Sequence, residues 1–178
     1  MLKVGRIIFT ALLLLSTLPA TMARGDKKPT VEWLTPEEMY SRYTLEKKPI
    51  IVDVYTDWCH YCKVMDKTTW QNDSVTAYVN EHFYMVKINA ESKEPYSWMG
   101  TQFEYDKQYK VNMLAAKLLD GKLSYPSTIF IPVKGDKELI QGAFSAKELE
   151  MILKYYGDIY NETTSPERFQ KKFKAGWK

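Results

Sequence analysis

The chain has two cysteines, and they stand three positions apart in Trp58-Cys59-His60-Tyr61-Cys62-Lys63. A pair at this spacing can close a small disulfide, cycle between dithiol and disulfide, or supply ligands to zinc or an attachment point to haem. The surroundings discriminate among these. Ile50-Ile51-Val52-Asp53-Val54-Tyr55, just upstream, is β-branched and apolar on both faces apart from Asp53, the pattern of a strand buried in the middle of a sheet. A helix is expected to follow from about Cys59 to Trp70. The pair then falls where a strand ends and a helix begins. Free amide hydrogens at a helix N-terminus favour an anion, so Cys59 can become thiolate at lower pH than an ordinary cysteine. Thiolate is the attacking species in disulfide exchange. Cys62, one helical turn on, is placed to resolve a mixed disulfide from within the chain.

The other uses of the pair fit less well. A purely structural bridge over so short a loop restrains the unfolded chain little. Zinc wants two further ligands, and the chain has only His60 and His82 as histidines; His60, between the cysteines, is badly placed to share a tetrahedral ion. Haem attachment needs histidine directly after the second cysteine, where Lys63 stands. No metal is expected, and no cofactor beyond the redox-active Cys59–Cys62 pair.

The elements that would hold the pair can be read from caps and periodicity. Val31 to Leu34 suits a short strand. Thr35-Pro36-Glu37-Glu38 announces a helix, with Thr35 as N-cap, Pro36 at the first helical position and Glu38 closing a capping box. Asp73 is a candidate N-cap for a helix reaching His82, and Phe83 to Asn89 reads as a strand. Within residues 90–110, Phe103-Glu104-Tyr105 and Tyr109-Lys110-Val111 are compatible with a small hairpin. Asn112 can cap a helix over Met113 to Leu119, stopped by Asp120-Gly121. Thr128 to Val133 and Glu138 to Gln141 read as an antiparallel pair. Ser145 and Glu148 form a second capping box, opening a helix that Gly157 closes. Strands alternating with helices before a final antiparallel pair predict an α/β domain over 31–157, a mixed central sheet flanked by helices.

Composition sets the frame. The 178 residues are 45% hydrophobic and 14% aromatic, enough for a substantial core, and a dispersed net charge of +3 gives no reason to expect nucleic acid as a partner. Residues 1–23 have Lys3 and Arg6 ahead of an apolar run from Ile7, then Pro19 and small residues with Thr21 and Ala23 before a plausible cut. That is the layout of a secretory signal peptide. An uncleaved membrane anchor, the alternative, wants about 20 apolar residues, more than the run up to Leu18 supplies. Cleavage would remove two of the 25 positive side chains and none of the 22 negative ones, leaving a nearly neutral chain with a polar leader over 24–30. Outside the cytosol, a closely spaced cysteine pair can be a disulfide, a redox centre or both.

The run from Ile50 to Lys63 resembles thioredoxins around their active site. The likeness continues, in the family's order, through Val86-Lys87-Ile88-Asn89, Tyr125-Pro126-Ser127-Thr128 and Gly142-Ala143-Phe144-Ser145, and covers most of 31–157. The Asp57-Trp58-Cys59-x-x-Cys62-Lys63 pattern is similar to secreted bacterial thioredoxin-like proteins and to the C-terminal domain of the periplasmic thiol:disulfide interchange protein. The resemblance implies a thioredoxin fold with an insertion at 90–124, ahead of a cis-proline at Pro126. It makes Cys59 the nucleophile, Cys62 the resolving thiol, and Asp53 a buried acid that helps move the Cys62 proton. Lys87 matches a lysine near that acid. Tyr125 and Pro126 would face a substrate peptide, together with Trp58, His60 and Tyr61 around the pair. Substrate proteins carrying disulfides or thiols are the implied partners, with a membrane-bound electron donor and a periplasmic location.

Several residues admit two readings. His60 and Tyr61 replace the Gly-Pro of thioredoxin itself; a histidine there either stabilises the neighbouring thiolate or is simply exposed. Trp58 either shields the pair or is a core tryptophan. The 90–124 insertion, with Tyr96, Trp98, Phe103 and Tyr105, either overhangs the active-site face or packs an additional hairpin. Residues 158–178 form a basic extension: 165–178 has five positive charges against one negative, with Phe169, Phe173 and Trp177 at spacings of four. Such a stripe docks on its own domain or meets a membrane or partner. Disulfide reductase is the expected activity. An oxidase or isomerase would run the same chemistry at a different poise, and a binding module would keep Cys59–Cys62 as a static bridge.

Overall fold

The computed structural model describes residues 28–158 and 160–177; the expected signal segment at 1–23 and most of the leader at 24–30 lie outside them. The strands in chain order are β1 (Trp33–Leu34), β2 (Ile50–Tyr55), β3 (Tyr84–Asn89), β4 (Tyr96–Trp98), β5 (Thr101–Phe103), β6 (Tyr105–Asp106), β7 (Val111–Asn112), β8 (Ser127–Ile131) and β9 (Glu138–Gln141). Five of them make one sheet in the order β1-β3-β2-β8-β9. β2 runs parallel to β3 and antiparallel to β8, so the strand that is apolar on both faces occupies the centre, as its sequence requires.

The helices are α1 (Pro36–Leu45), α2 (His60–Thr68), α3 (Asp73–His82), α4 (Met113–Leu118), α5 (Ala146–Gly157) and α6 (Pro166–Lys172). Both expected capping boxes form, Thr35 with Glu38 and Ser145 with Glu148. At α3 the cap moves back one residue. Asn72, not Asp73, accepts from the amides of Ser74 and Val75, and Asp73 sits in the first turn, where its charge suits the helix dipole.

Alternation along β2 splits the core. Ile50, Val52 and Val54 pack on one face with Met39 of α1 and Leu114 of α4. Ile51 packs on the other with Met65 of α2, Val79 of α3 and Leu153 of α5. Asp53 shares the parity of Ile51, so the one charged residue of the central strand points to the layer that contains α2.

Residues 90–124, the expected insertion, pack against the first core cluster. Their single expected hairpin is in fact two. β6 pairs with β7 as Tyr105 opposite Asn112, and a separate hairpin joins β4 to β5. The β4–β5 turn puts Met99 and Gly100 at φ 49° and 80°, the two positive values of a tight hairpin turn. Trp98 is buried in the first core cluster, and Tyr96 and Phe103 pack on it.

The tail departs from a continuous helical stripe. α6 ends at Lys172, so Trp177 lies beyond it, outside any regular element. Phe169 packs against Tyr155 and Tyr160 with ring centres 5.3 and 4.8 Å apart, and Trp177 meets Tyr78 edge-on at 5.6 Å. Of the two readings of the aromatic stripe, the contacts are those of docking on its own domain. Among the described residues no helix is long and apolar enough to cross a membrane.

Candidate functional site

Cys59 is the N-cap of α2, and its Sγ accepts the amide of Cys62 at 3.1 Å. The first turn of this helix carries no acidic side chain to compete for the free amides. Cys59 and Cys62 are joined as a disulfide with Cα atoms 5.4 Å apart, and both are buried. Around them the surface is aromatic: Trp58 and Tyr61 are each 65% exposed. The His60 ring, also exposed, meets that of Tyr61 edge-on.

Trp58 is therefore not a core tryptophan. Its indole Nε1 donates to Glu91 Oε1 at 3.0 Å, and its ring meets Tyr125 edge-on at 5.9 Å. Glu91 lies two residues past β3, so residues 90–124 touch the face around the cysteine pair there, while Tyr96, Trp98 and Phe103 pack in the first core cluster. The Tyr125–Pro126 bond is cis, as the resemblance implies. Val54 pairs with Ser127, which puts Pro126 at the same end of the sheet as the β2–α2 junction and Cys59.

Beneath this surface lies the acid. Asp53 is 2% exposed, and its Oδ1 has no hydrogen-bond partner. Burial pushes its carboxyl up to about 7, held back by the Lys87 ammonium, with Asp66 pushing the same way as burial. The Trp70 indole is near enough to favour the carboxylate, although its N–H completes no hydrogen bond. Lys87 sits directly across from Asp53 in the parallel register, its Nζ 3.6 Å from Oδ2. The same ammonium pairs more closely with Asp66 of α2 and lies over the rings of Trp33 and Tyr55 at 5.2 and 5.0 Å.

The expected residues thus fall into two groups. Cys59, Cys62, Trp58, His60, Tyr61, Tyr125 and Pro126 are at the surface end of the sheet; Asp53 and Lys87 are below. Asp66 and Glu91 belong to the site and were not among the candidates. Asp66 had a readable signal, since it stands four residues after Cys62 on α2 and so shares its helical face. Glu91 had none beyond its nearness to β3. Among the described residues no group of three or more His, Cys, Asp or Glu side chains is arranged to hold a metal.

Comparison with known proteins agrees with this geometry. The pattern of the thioredoxin-like domain family matches residues 36–157. Among solved structures, the oxidoreductase DsbH superposes with a TM-score of 0.53 at 17% identity, over 84% of this chain and 96% of that one. A proposed disulphide-isomerase of Bacteroides thetaiotaomicron gives 0.51 at 26% identity, over 72% and 94%. Curated relatives are much longer: an uncharacterized protein of Caenorhabditis elegans is 24% identical over 53% of this chain but only 11% of its own length. Spermatogenesis-associated protein 20 of Mus musculus is 30% identical over 32% of this chain and 7% of its own. With a match that spans more than half of its residues and the ordered set of strand, cysteine pair, helix and cis-proline, this chain belongs to the thioredoxin-like domain family.

Proposed function

We propose that the protein is an extracytoplasmic thiol–disulfide oxidoreductase that reduces disulfides in substrate proteins. The observation that carries this reading is the position of Cys59 Sγ on the free amides of α2, above a buried Asp53 held near neutrality. In the dithiol form the Cys59 thiolate attacks a substrate disulfide. One substrate sulfur leaves as thiolate and a mixed disulfide forms at Cys59. Cys62 then attacks Cys59 Sγ, its proton passes to the Asp53 carboxylate, and the second substrate sulfur leaves. The substrate gains two electrons and the protein is left with its Cys59–Cys62 disulfide. Two electrons from a membrane-bound donor restore the dithiol. A carboxyl near 7 can both take and release a proton at neutral pH, which a solvated aspartate does poorly.

Exposed Trp58, Tyr61 and Tyr125, with the backbone of Pro126, form the surface a substrate peptide would meet. His60 projects from that surface rather than supporting the pair from below. The layout of residues 1–23 supports delivery across a membrane, where re-reduction must come from a membrane donor rather than a cytosolic one.

Insulin reduction by the chain without residues 1–23, with dithiothreitol as electron source, tests the assignment. Cys59→Ser is expected to abolish turnover, and Cys62→Ser to accumulate a mixed disulfide at Cys59. Undiminished turnover in Cys59→Ser overturns it. Absent turnover in the unaltered protein, with partner binding kept, favours a binding module with a static bridge.

A further inference from the structure

A concavity beside the C-terminal tail shares no residue with the cysteine site. It measures about 660 Å³ and opens where the tail folds back over the C-terminal end of α5. Lys154, Arg168, Lys172 and Lys174 line it, and so do two carboxylates, Glu150 and Asp158. Both carboxylates are already engaged. Glu150 is buried, and its oxygens accept the amides of Gly176 and Trp177 at 2.9–3.0 Å. Asp158 Oδ1 accepts the Tyr78 hydroxyl at 2.7 Å. Among the described residues, none of the four cations has a carboxylate within 4.0 Å, whereas nearby Lys134 is paired with Glu162 at 2.8 Å. Among the described residues the groove therefore has more cations than carboxylates in its lining, and none of those cations is directly paired.

The aromatic side chains of the tail are fixed in its wall. Phe169 packs on Tyr155 and Phe173, and Trp177 on Tyr78, with Lys154 lying over the Tyr78 and Trp177 rings at 5.1 and 5.7 Å. Rings held this way give an apolar wall to a ligand inside the groove, and they are not free to insert into a bilayer. A concave, aromatic-walled, cationic site of this size falls in the ~300–1,000 Å³ range of sites that enclose a small ligand or a few residues of chain.

We propose that this groove binds an acidic peptide segment of a partner protein, its carboxylates meeting Arg168, Lys172 and Lys174 and an apolar side chain lying against Phe169 and Phe173. Charge complementarity selects the ligand: among the described lining residues the four cations outnumber the two carboxylates, and the net positive groove favours an acidic ligand. The site would tether a partner at a distance from the cysteines, independently of any disulfide exchange.

A fluorescein-labelled peptide of alternating glutamate and phenylalanine, titrated against the chain without residues 1–23, tests this by anisotropy. Its glutamine counterpart serves as the neutral control. The acidic peptide is expected to bind about tenfold or more tighter than the neutral one. Arg168→Gln/Lys172→Gln/Lys174→Gln, at three exposed positions, should erase that difference while leaving the far-ultraviolet spectrum and insulin reduction unchanged. Raising salt from about 50 to 200 mM should weaken the acidic complex alone. Equal binding of the two peptides, or an acidic complex insensitive to the triple substitution, overturns the proposal. So does capture of phosphatidylglycerol vesicles through the same three side chains without peptide binding, which would make the groove a lipid site.

Discussion

Lys87 and Asp53 occupy the same register position on adjacent parallel strands, with Nζ 3.6 Å from Oδ2, yet the ammonium pairs more closely with Asp66 of α2. One cation therefore serves two carboxylates of unequal burial. Asp66 is half-buried and takes the better share; Asp53 is enclosed and left with a partial one. Full pairing would hold Asp53 ionised, and no cation at all would keep it protonated. The divided partner leaves its carboxyl near neutrality, the range that the proposed proton exchange with Cys62 requires.

A pH-dependent cost follows for the fold. The Asp53 carboxyl is raised from 3.8 to about 7, so the folded state holds its proton more tightly than the unfolded chain does. Its ionisation opposes folding: the penalty is absent below about pH 4, grows between about 4 and 7, and is complete above. Asp53→Asn, in the oxidised protein, should be more stable than the parent by about 2–4 kcal/mol at pH 8, with the gain vanishing near pH 4. Urea unfolding at the two pH values reads this directly, and a gain that does not change with pH would contradict it.

Asp66 and Lys87 should move the Asp53 titration in opposite directions. Asp66→Asn removes a charge that raises the Asp53 carboxyl and releases Lys87 to pair with it, so both effects lower the midpoint, by about one pH unit. Lys87→Gln removes the attraction and should raise it by a similar amount. Carbon-13 NMR of the Asp53 carboxyl during a pH titration distinguishes the signs; shifts in the same direction for both variants would mean the shared-cation account is wrong.

Glu91 is expected to act on exchange rather than on stability. Its carboxylate holds the exposed Trp58 indole at 3.0 Å, where the surrounding water limits the contribution of the bond to about 1 kcal/mol or less. Glu91→Leu should leave the urea midpoint close to that of the parent, alter Trp58 emission, and slow insulin reduction about three- to tenfold as the aromatic surface loses its fixed orientation. Unaltered turnover with altered emission would remove Glu91 from the site.

The parts of this architecture that are local in origin were readable from the chain. Thr35 with Glu38 and Ser145 with Glu148 carry their helix starts in four residues each, and β2 announces its central place by having no polar face. Asp53 stood out as the one charge in that strand. The β4–β5 hairpin was hidden because its turn begins at Met99, a residue type that rarely takes positive φ, so only Gly100 signalled it. Glu91 becomes a site residue only when the end of β3 is brought beside Trp58. Trp177 misled because a spacing of four implies a helix, whereas α6 ends at Lys172 and the amides of Gly176 and Trp177 go to the buried Glu150 carboxylate.

Gly157 illustrates a change of reason. It ends α5 as expected, with Asp158 as the C-cap, but the residue is buried and its surroundings are what require a glycine. A Cβ there would meet Tyr78 Oη at 2.7 Å and Phe83 Cε2 at 2.9 Å. Gly157→Ala, ordinarily favourable in a helix, should instead destabilise by about 1–3 kcal/mol. A thermal midpoint equal to or above that of the parent would show that α3 and α5 yield to the extra methyl.

The reduction potential of Cys59–Cys62, followed through Trp58 emission in thiol buffers of defined potential, tests the central claim most directly. The account predicts a pair that equilibrates fully and reversibly, at a potential near the ~−270 mV of an electron-donating thioredoxin. A value near ~−120 mV would contradict the reductase assignment and make the protein an oxidant. A bridge that does not equilibrate at all would contradict redox function itself.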